Sequence, residues 1–373
     1  MQKNMLSYLQ NSTLRFPLKT AIRDEDESVN FSELNSHAKA IAAHFQSLNV
    51  TKNRPVGVLL PKSVKAIKCF LGTLYNGCFY VPLDVKNPAS RLEAIIKNLN
   101  LEFIVTDAKH AQILKNSDVN LIIFDEINLK DEDKFDRANY ENTIDTDPLY
   151  IINTSGSTGT PKGVAISHKS AINYIEWACK TFNFKDDLKI ASQAPFIFDN
   201  SVLDIYLTLK TGSTLFLIPQ ELFTFPVKVV EYLKKNEINF IFWVPSILTN
   251  IAALDLLKWV NLGLKFIIFA GEVMPVKTMN YFKSRFKNAV LANLYGPTET
   301  TVDCAYYVVD RDFSDEESLP IGYPCKNTDV FLLDENDALV TARNTLGELC
   351  VRGASLALGY YNDPVKTASA FTQ

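Results

Sequence analysis

A layered α/β fold with parallel sheets and a β-rich tail is what this sequence predicts. Three observations carry it. Apolar runs of strand length, such as PVGVLL at 55–60 and FIIF at 266–269, alternate with segments of helical period. Runs apolar on both faces suit strands covered by helices on either side. Beyond residue 318 the helical pattern gives way to short strands and turns.

In chain order, the acidic run 24–27 reads as a solvated turn between short strands. Residues 32–48 carry Leu34, Ala38, Ile41, Phe45 and Leu48 at helical spacing, with Ser32 as the expected N-cap. A strand at 55–60 precedes a helix at 62–75, which Asn76-Gly77 stops, and 79–83 is the next strand. Pro88 opens a helix; 103–106 and 121–124 are strands. The polar, acidic stretch 131–147 reads as a surface connection. Strand, loop and strand follow at 150–168, then a helix near 169–181, a strand at 189–192, a helix at 201–210 and a strand at 214–218. Residues 240–244, 266–269 and 290–294 add strands with helices between. After a second polar connection at 310–318, segments 329–333 and 347–352 with the DEND turn at 334–337 read as hairpin structure.

The 373 residues suffice for two or three lobes, read as 1–145, 146–310 and a β-rich 311–373. The hydrophobic fraction of 47% gives each of them a core. A net charge of −4 offers nucleic acid no basic field. Cys69, Cys78, Cys179, Cys304, Cys325 and Cys350 show no metal-ligand spacing and read as reduced, mostly buried thiols of a cytoplasmic protein. Of the four histidines (His37, His44, His110, His168), His37 and His44 share a helix but stand about two turns apart, too far for one metal. No signal peptide is visible, and no apolar run approaches the ~18–20 residues of a membrane span.

Three strings carry the chemistry. The first is YIINTSGSTGTPKGVAISH at 150–168. Its loop sets Thr154, Ser155, Gly156, Ser157, Thr158, Gly159, Thr160, Lys162 and Gly163 between two apolar runs. Glycines let a backbone approach an anion closely; N–H groups, hydroxyls and one lysine can then ring phosphate oxygens. It is not a Walker A loop, because proline precedes the lysine and a strand follows it. A plain turn between two strands is the alternative. The second string is Asn293-Leu294-Tyr295-Gly296-Pro297-Thr298-Glu299, after a strand, where open α/β sheets place ligands. Glu299 can hold Mg²⁺, a hard cation that prefers oxygen, or simply sit by a helix terminus that Thr298 caps. The third is FIFDNSV at 196–202, in which Asp199 can meet a cation or cap the next helix.

Together these strings resemble the signature motifs of the adenylate-forming superfamily, which comprises acyl-CoA synthetases, luciferases and nonribosomal peptide synthetase adenylation domains. TSGSTGTPKGV matches the phosphate loop, YGPTE the second motif, and FDxSV the amino-acid-activating branch. IGYP at 321–324 and GELCVRG at 347–353 fall where the family has similar runs that shape the barrel and brace the nucleotide site, and GYY at 359–361, followed by Thr367 and Phe371, matches a further run of the family. The resemblance implies two doubly wound αβα sheets plus a distorted β-barrel, the family's N-terminal core. It implies ATP and Mg²⁺ as cofactors, Lys162, Thr298 and Glu299 as catalytic residues, and Glu299 as metal ligand. Asn293 and Tyr295 would meet adenine with Gly271, beside Glu272, Leu294 and Gly296; Thr298 would meet the α-phosphate. Asp199 would pair with a substrate α-ammonium. The side-chain pocket would be Asp199, Asn200, Leu203, Trp243, Ile268, Ala270, Leu294, Val302 and Asp303.

Trp243 and the aliphatics would leave little volume, which favours a small amino acid such as alanine or serine. FDNSVLDIY with WVPS also looks like D-alanine–carrier protein ligases. The implied partners are an amino acid and a carrier protein bearing phosphopantetheine, with no nucleic acid and no membrane span. In the family a ribose-gripping aspartate, a hinge and a lysine-bearing lid follow the position of Gln373, so the expectation for this chain is ligand binding with low or absent turnover. An acyl- or aryl-CoA synthetase core, and a non-catalytic module that binds nucleotide or carrier, remain the alternatives.

Overall fold

The structure is a computed structural model that describes residues 3–154 and 161–372. Its strands run in chain order as β1 (Thr20–Arg23), β2 (Ser28–Asn30), β3 (Pro55–Leu59), β4 (Phe79–Pro82), β5 (Phe103–Thr106), β6 (Asn120–Ile123), β7 (Pro148–Thr154), β8 (Lys162–Ser167) and β9 (Lys189–Ser192). They continue as β10 (Thr214–Leu217), β11 (Phe240–Trp243), β12 (Phe266–Phe269), β13 (Val290–Tyr295), β14 (Ala305–Val308), β15 (Tyr323–Pro324), β16 (Thr328–Leu333), β17 (Glu348–Gly353) and β18 (Gly359–Tyr360).

Two large sheets result. One has seven strands in the order β18-β8-β7-β4-β3-β5-β6, parallel from β7 to β6. The other has nine, in the order β15-β14-β13-β12-β11-β9-β10-β1-β2, parallel from β13 to β1. The central strands β3, β4 and β11 are buried at every position, as their continuous apolar runs require. The sheets do not follow the lobe limits read from the sequence. β1 and β2, from the first thirty residues, extend the nine-stranded sheet, while β7 and β8 complete the seven-stranded one. The β-rich tail forms the β16–β17 ribbon and adds β15 and β18 to the edges of the two sheets. Among the described residues these strands do not close on one another as a barrel.

Caps set the helix borders. The helix Phe31–Ser47 starts two residues earlier than a Ser32 cap would place it, because Asn30 is its N-cap. Asn30 Oδ1 accepts from Glu33 N at 2.8 Å and Glu33 Oε2 accepts from Asn30 N at 3.0 Å, a complete capping box. Ser63 caps Val64–Tyr75 through Ala66 N. The stretch 131–147 is not bare loop: Phe135 and Tyr140 pack edge-on against Tyr75, each with ring centroids 5.4 Å away.

Strand order fixes where a ligand can sit. β10 lies on one side of β9 and β11 on the other, so the helical connections leave toward opposite directions at their carboxyl ends. Such a switch point opens a crevice outside the strand ends. The chain segments leaving β9, β11, β12 and β13 there contain Asp199, Val244, Gly271 and Glu299.

Candidate active site

Lys162 begins β8 and is the cross-strand partner of Thr154 at the end of β7. Both ends of the predicted phosphate loop are thus held in one antiparallel ladder. Ser155, Gly156, Ser157, Thr158, Gly159 and Thr160 lie outside the described residues. Gly163 serves packing: a Cβ there would stand 2.6 Å from Leu99 Cδ2 and 2.9 Å from Ile151 Cγ2.

The tail strand β18 runs antiparallel to β8, pairing Tyr360 with Val164. That brings Tyr360 to Glu299: its hydroxyl donates to Glu299 Oε1 at 2.7 Å. Ala357 N also donates to the Glu299 carbonyl at 2.8 Å, and Lys162 Nζ stands 5.0 Å from the centre of the Tyr360 ring. Glu299 and Lys162, far apart in sequence, therefore meet one tyrosine. A lone carboxylate suits magnesium, which keeps waters and phosphate oxygens as its other ligands.

Asp199 stands at the N-cap position of the helix Asn200–Thr211 but makes no side-chain capping bond. Burial pushes its carboxyl up to about 6, against the pull of the Thr298 hydroxyl and the N–H groups of Asp199 and Asn200 and with a further push from Glu299. Thr298 likewise makes no side-chain cap to its short 3₁₀ turn Thr298–Thr300. Asp303 is 2% exposed and accepts from the Tyr174 hydroxyl at 2.6 Å. Burial pushes Asp303 up to about 8; the Tyr174 bond opposes this and Asp199 adds to it. The Tyr150 hydroxyl, also within electrostatic reach of Asp199, is buried without a hydrogen-bond partner among the described residues. Asp199, Asp303, Tyr150 and Tyr174 thus make one polar cluster under the crevice.

Leu203, Ile268, Ala270, Leu294 and Val302 are all buried in the core layer on this side of the nine-stranded sheet. Trp243 is not among them. It packs in the opposite layer, edge-on to Phe223 at 5.7 Å, and donates Nε1–H to the Ala191 carbonyl at 2.8 Å. Successive strand residues face opposite sides, so Phe242 and Val244 flank it on the pocket side. Phe242 is in the pocket-side layer. Val244 Cγ1 stands 3.8 Å, and Asn200 Nδ2 3.7 Å, from where a Gly271 Cβ would be.

Gly271 has φ +86° and no closer neighbours, so the space beside it is open. Glu272 accepts from Ser246 N at 2.8 Å. Asn293 spends its amide on the Pro320 carbonyl at 2.9 Å, and Tyr295 is 39% exposed at the rim. Gly296 is required by backbone: a Cβ would lie 2.5 Å from Asp303 Cα and from the Val302 carbonyl oxygen. Thr301 and Val302 both take positive φ, +59° and +70°. For β-branched residues that conformation costs on the order of 1–3 kcal/mol each, and the adjoining Asp303 points into the cluster.

Tyr150, Tyr174, Phe242 and Val244 were not singled out in the sequence, and Tyr360 was noted only as part of the GYY run. The period of two along β11 was the available signal for Phe242 and Val244. For Tyr174, within a helix, the sequence carries no signal.

Known proteins fit this geometry. The sequence profile of the AMP-binding enzyme family matches residues 9–361. An L-proline–[L-prolyl-carrier protein] ligase of Pseudomonas fluorescens is 32% identical over 96% of this chain and 74% of its own. A D-alanine–D-alanyl carrier protein ligase of Bacillus cereus is 31% identical over 99% of this chain and 73% of its own. Zwittermicin A synthase ZmaJ of Bacillus cereus is 31% identical over 98% and 70%. Among solved structures, the nonribosomal peptide synthetase FmoA3 (S1046A) superposes with a TM-score of 0.87 at 22% identity, over 99% of this chain and 39% of that one. With the profile spanning nearly the whole chain and relatives above 30% identity over almost all of it, this protein belongs to the AMP-binding enzyme family.

Proposed function

We propose that this chain activates the carboxylate of a small amino acid with ATP, for transfer of the aminoacyl group to the phosphopantetheine thiol of a carrier protein. The carboxylate oxygen bonds to the α-phosphorus of ATP, the bond to pyrophosphate breaks, and aminoacyl-AMP and pyrophosphate result. The observation that carries the reading is Asp199 beside Thr298 and Glu299 at the strand ends. One carboxylate there can receive an ammonium while its neighbours face phosphate and metal. Lys162, with the hydroxyl-rich loop before it, orients and neutralises the phosphates. Magnesium, held by Glu299, supplies further charge neutralisation.

The small-substrate preference rests on Leu203, Ile268, Ala270, Leu294, Val302 and the Asp303 carboxyl, without Trp243. Burial raises Asp303 well above its ordinary range, and its carboxyl offers a hydrogen-bonding group to a hydroxylated side chain. Proline and D-alanine ligases among the relatives are consistent with small substrates. An acyl- or aryl-CoA synthetase would have no use for Asp199.

A thermal-shift panel tests this, with non-hydrolysable alanyl-, seryl- and prolyl-adenylate analogues beside a fatty-acyl one. A ligand at ~100 times its Kd adds roughly 2.7 kcal/mol. A shift with an aminoacyl analogue, lost in Asp199→Ala, supports the reading. A shift with the acyl analogue alone moves the chain to the CoA-ligase branch.

A further inference from the structure

We propose that Tyr360 is a positioning residue that aims Glu299 at the metal and keeps it from pairing with Lys162. This rests on the roles given above to Glu299 and Lys162. A lysine and a glutamate that face one phosphate site attract each other, and a direct ion pair would cancel both. Among the described residues the two form no such pair. One ring contacts both instead. Its hydroxyl donates to Glu299 Oε1 at 2.7 Å, and Lys162 Nζ lies 5.0 Å from its centroid. The hydroxyl fixes one carboxylate oxygen and leaves Oε2 for a cation. The ring face holds the ammonium by cation–π attraction, without neutralising it.

The ring is held firmly enough to do this. Tyr360 is 7% exposed, its N–H donates to Thr367 Oγ1 at 3.0 Å, and the Phe371 ring stands edge-on at 5.9 Å. Gly359 permits the close approach of Thr367, at φ +122°, where a Cβ would meet Thr367 Cγ2 at 2.5 Å. Tyr360 pairs with Val164, two positions after Lys162, and Ala357 bonds the Glu299 carbonyl. The β8–β18 ladder thus ties Tyr360 to the strand of Lys162, and the Ala357 bond ties the segment before β18 to Glu299.

The test is calorimetric ATP binding by the full chain over a range of free Mg²⁺, for wild type, Y360F, Y360A and E299Q. Loss of a hydrogen-bonded partner behind a metal ligand typically weakens metal affinity 10–100-fold. Y360F should therefore raise the half-maximal Mg²⁺ concentration about tenfold and leave metal-free ATP affinity unchanged. Y360A should weaken ATP binding with and without Mg²⁺, because it also releases Lys162. If E299Q shifts the Mg²⁺ dependence and Y360F stays within about twofold of wild type, Tyr360 has no such role. If E299Q itself shifts nothing, the assignment of Glu299 to the metal falls, and the role of Tyr360 with it. A 3-fluorotyrosine at 360 gives a readout that does not depend on a mutant folding. Its ¹⁹F resonance should move when Mg²⁺ joins bound ATP, and a resonance that stays put overturns the proposal.

Discussion

The Tyr174 hydroxyl donates a 2.6 Å hydrogen bond to Asp303 Oδ2, joining the helix His168–Phe182 to the turn that closes the pocket. Both groups are buried, and the turn that carries Asp303 is strained at Thr301 and Val302. The bond therefore anchors a segment that would otherwise relax. Tyr174→Phe should leave a buried carboxyl short of a donor, costing on the order of 1–3 kcal/mol. Chemical denaturation would read that loss. In the double variant Tyr174→Phe/Asp303→Leu part of it should return, because no unpaired polar group remains. Full additivity of the two single changes would count against this coupling.

Titration of Asp199 should govern amine recognition. Its carboxyl is held near 6, above its ordinary 3.8. Between those values the folded state keeps a proton that the unfolded chain releases, so folding stability falls as pH rises through this window and levels off above about 6. Binding of an ammonium runs the other way, because it needs the carboxylate. The affinity for an aminoacyl-adenylate analogue should thus rise up to tenfold per pH unit toward about 6 and flatten above it. Calorimetry from about pH 4.5 to 8 checks this, with Asp199→Asn giving a flat, weak profile. A flat profile in the wild type would remove Asp199 from amine binding.

Most of the fold was legible because buried parallel strands read as plain apolar runs. β5, β9 and β12 lie at the residues expected, 103–106, 189–192 and 266–269. What escaped the sequence was contact between distant residues. Nothing in GYY announces that Tyr360 meets Glu299, since the β8–β18 pairing joins segments almost two hundred residues apart. Asn30 took the cap from Ser32 because only Asn30 has a glutamate three residues on. Trp243 was placed in the pocket by motif alignment, which overlooks that one residue's offset along a strand reverses its face.

That reversal separates two substitutions. Trp243→Phe should lower stability by on the order of 1–3 kcal/mol, through lost packing and the lost bond to Ala191, with analogue Kd changed less than about twofold. Val244→Phe should do the opposite, filling the open space beside Gly271 and Asn200. A loss of at least about tenfold in affinity with stability within about 0.5 kcal/mol is expected there. Equal effects on Kd from the two changes would mean that Trp243 reaches the ligand after all.

Gly296 links the nucleotide motif to the pocket through backbone alone. A Cβ at that position would meet Asp303 Cα and the Val302 carbonyl at 2.5 Å, and Cys304 N at 2.9 Å. None of these atoms belongs to a side chain that could turn aside, so Gly296→Ala must push the turn outward. The displaced residues carry Val302 and Asp303, while Glu299 is held from its other side by Ala357 and Tyr360. The variant should therefore lose aminoacyl-adenylate binding by at least about tenfold, equivalent to 1.4 kcal/mol, and keep Mg²⁺-dependent ATP binding within about threefold of wild type. Parallel calorimetry with the two ligands separates these effects. An equal loss for both would show that the turn and the metal-side carboxylate move as one unit, and that the pocket cannot be altered independently of the nucleotide site.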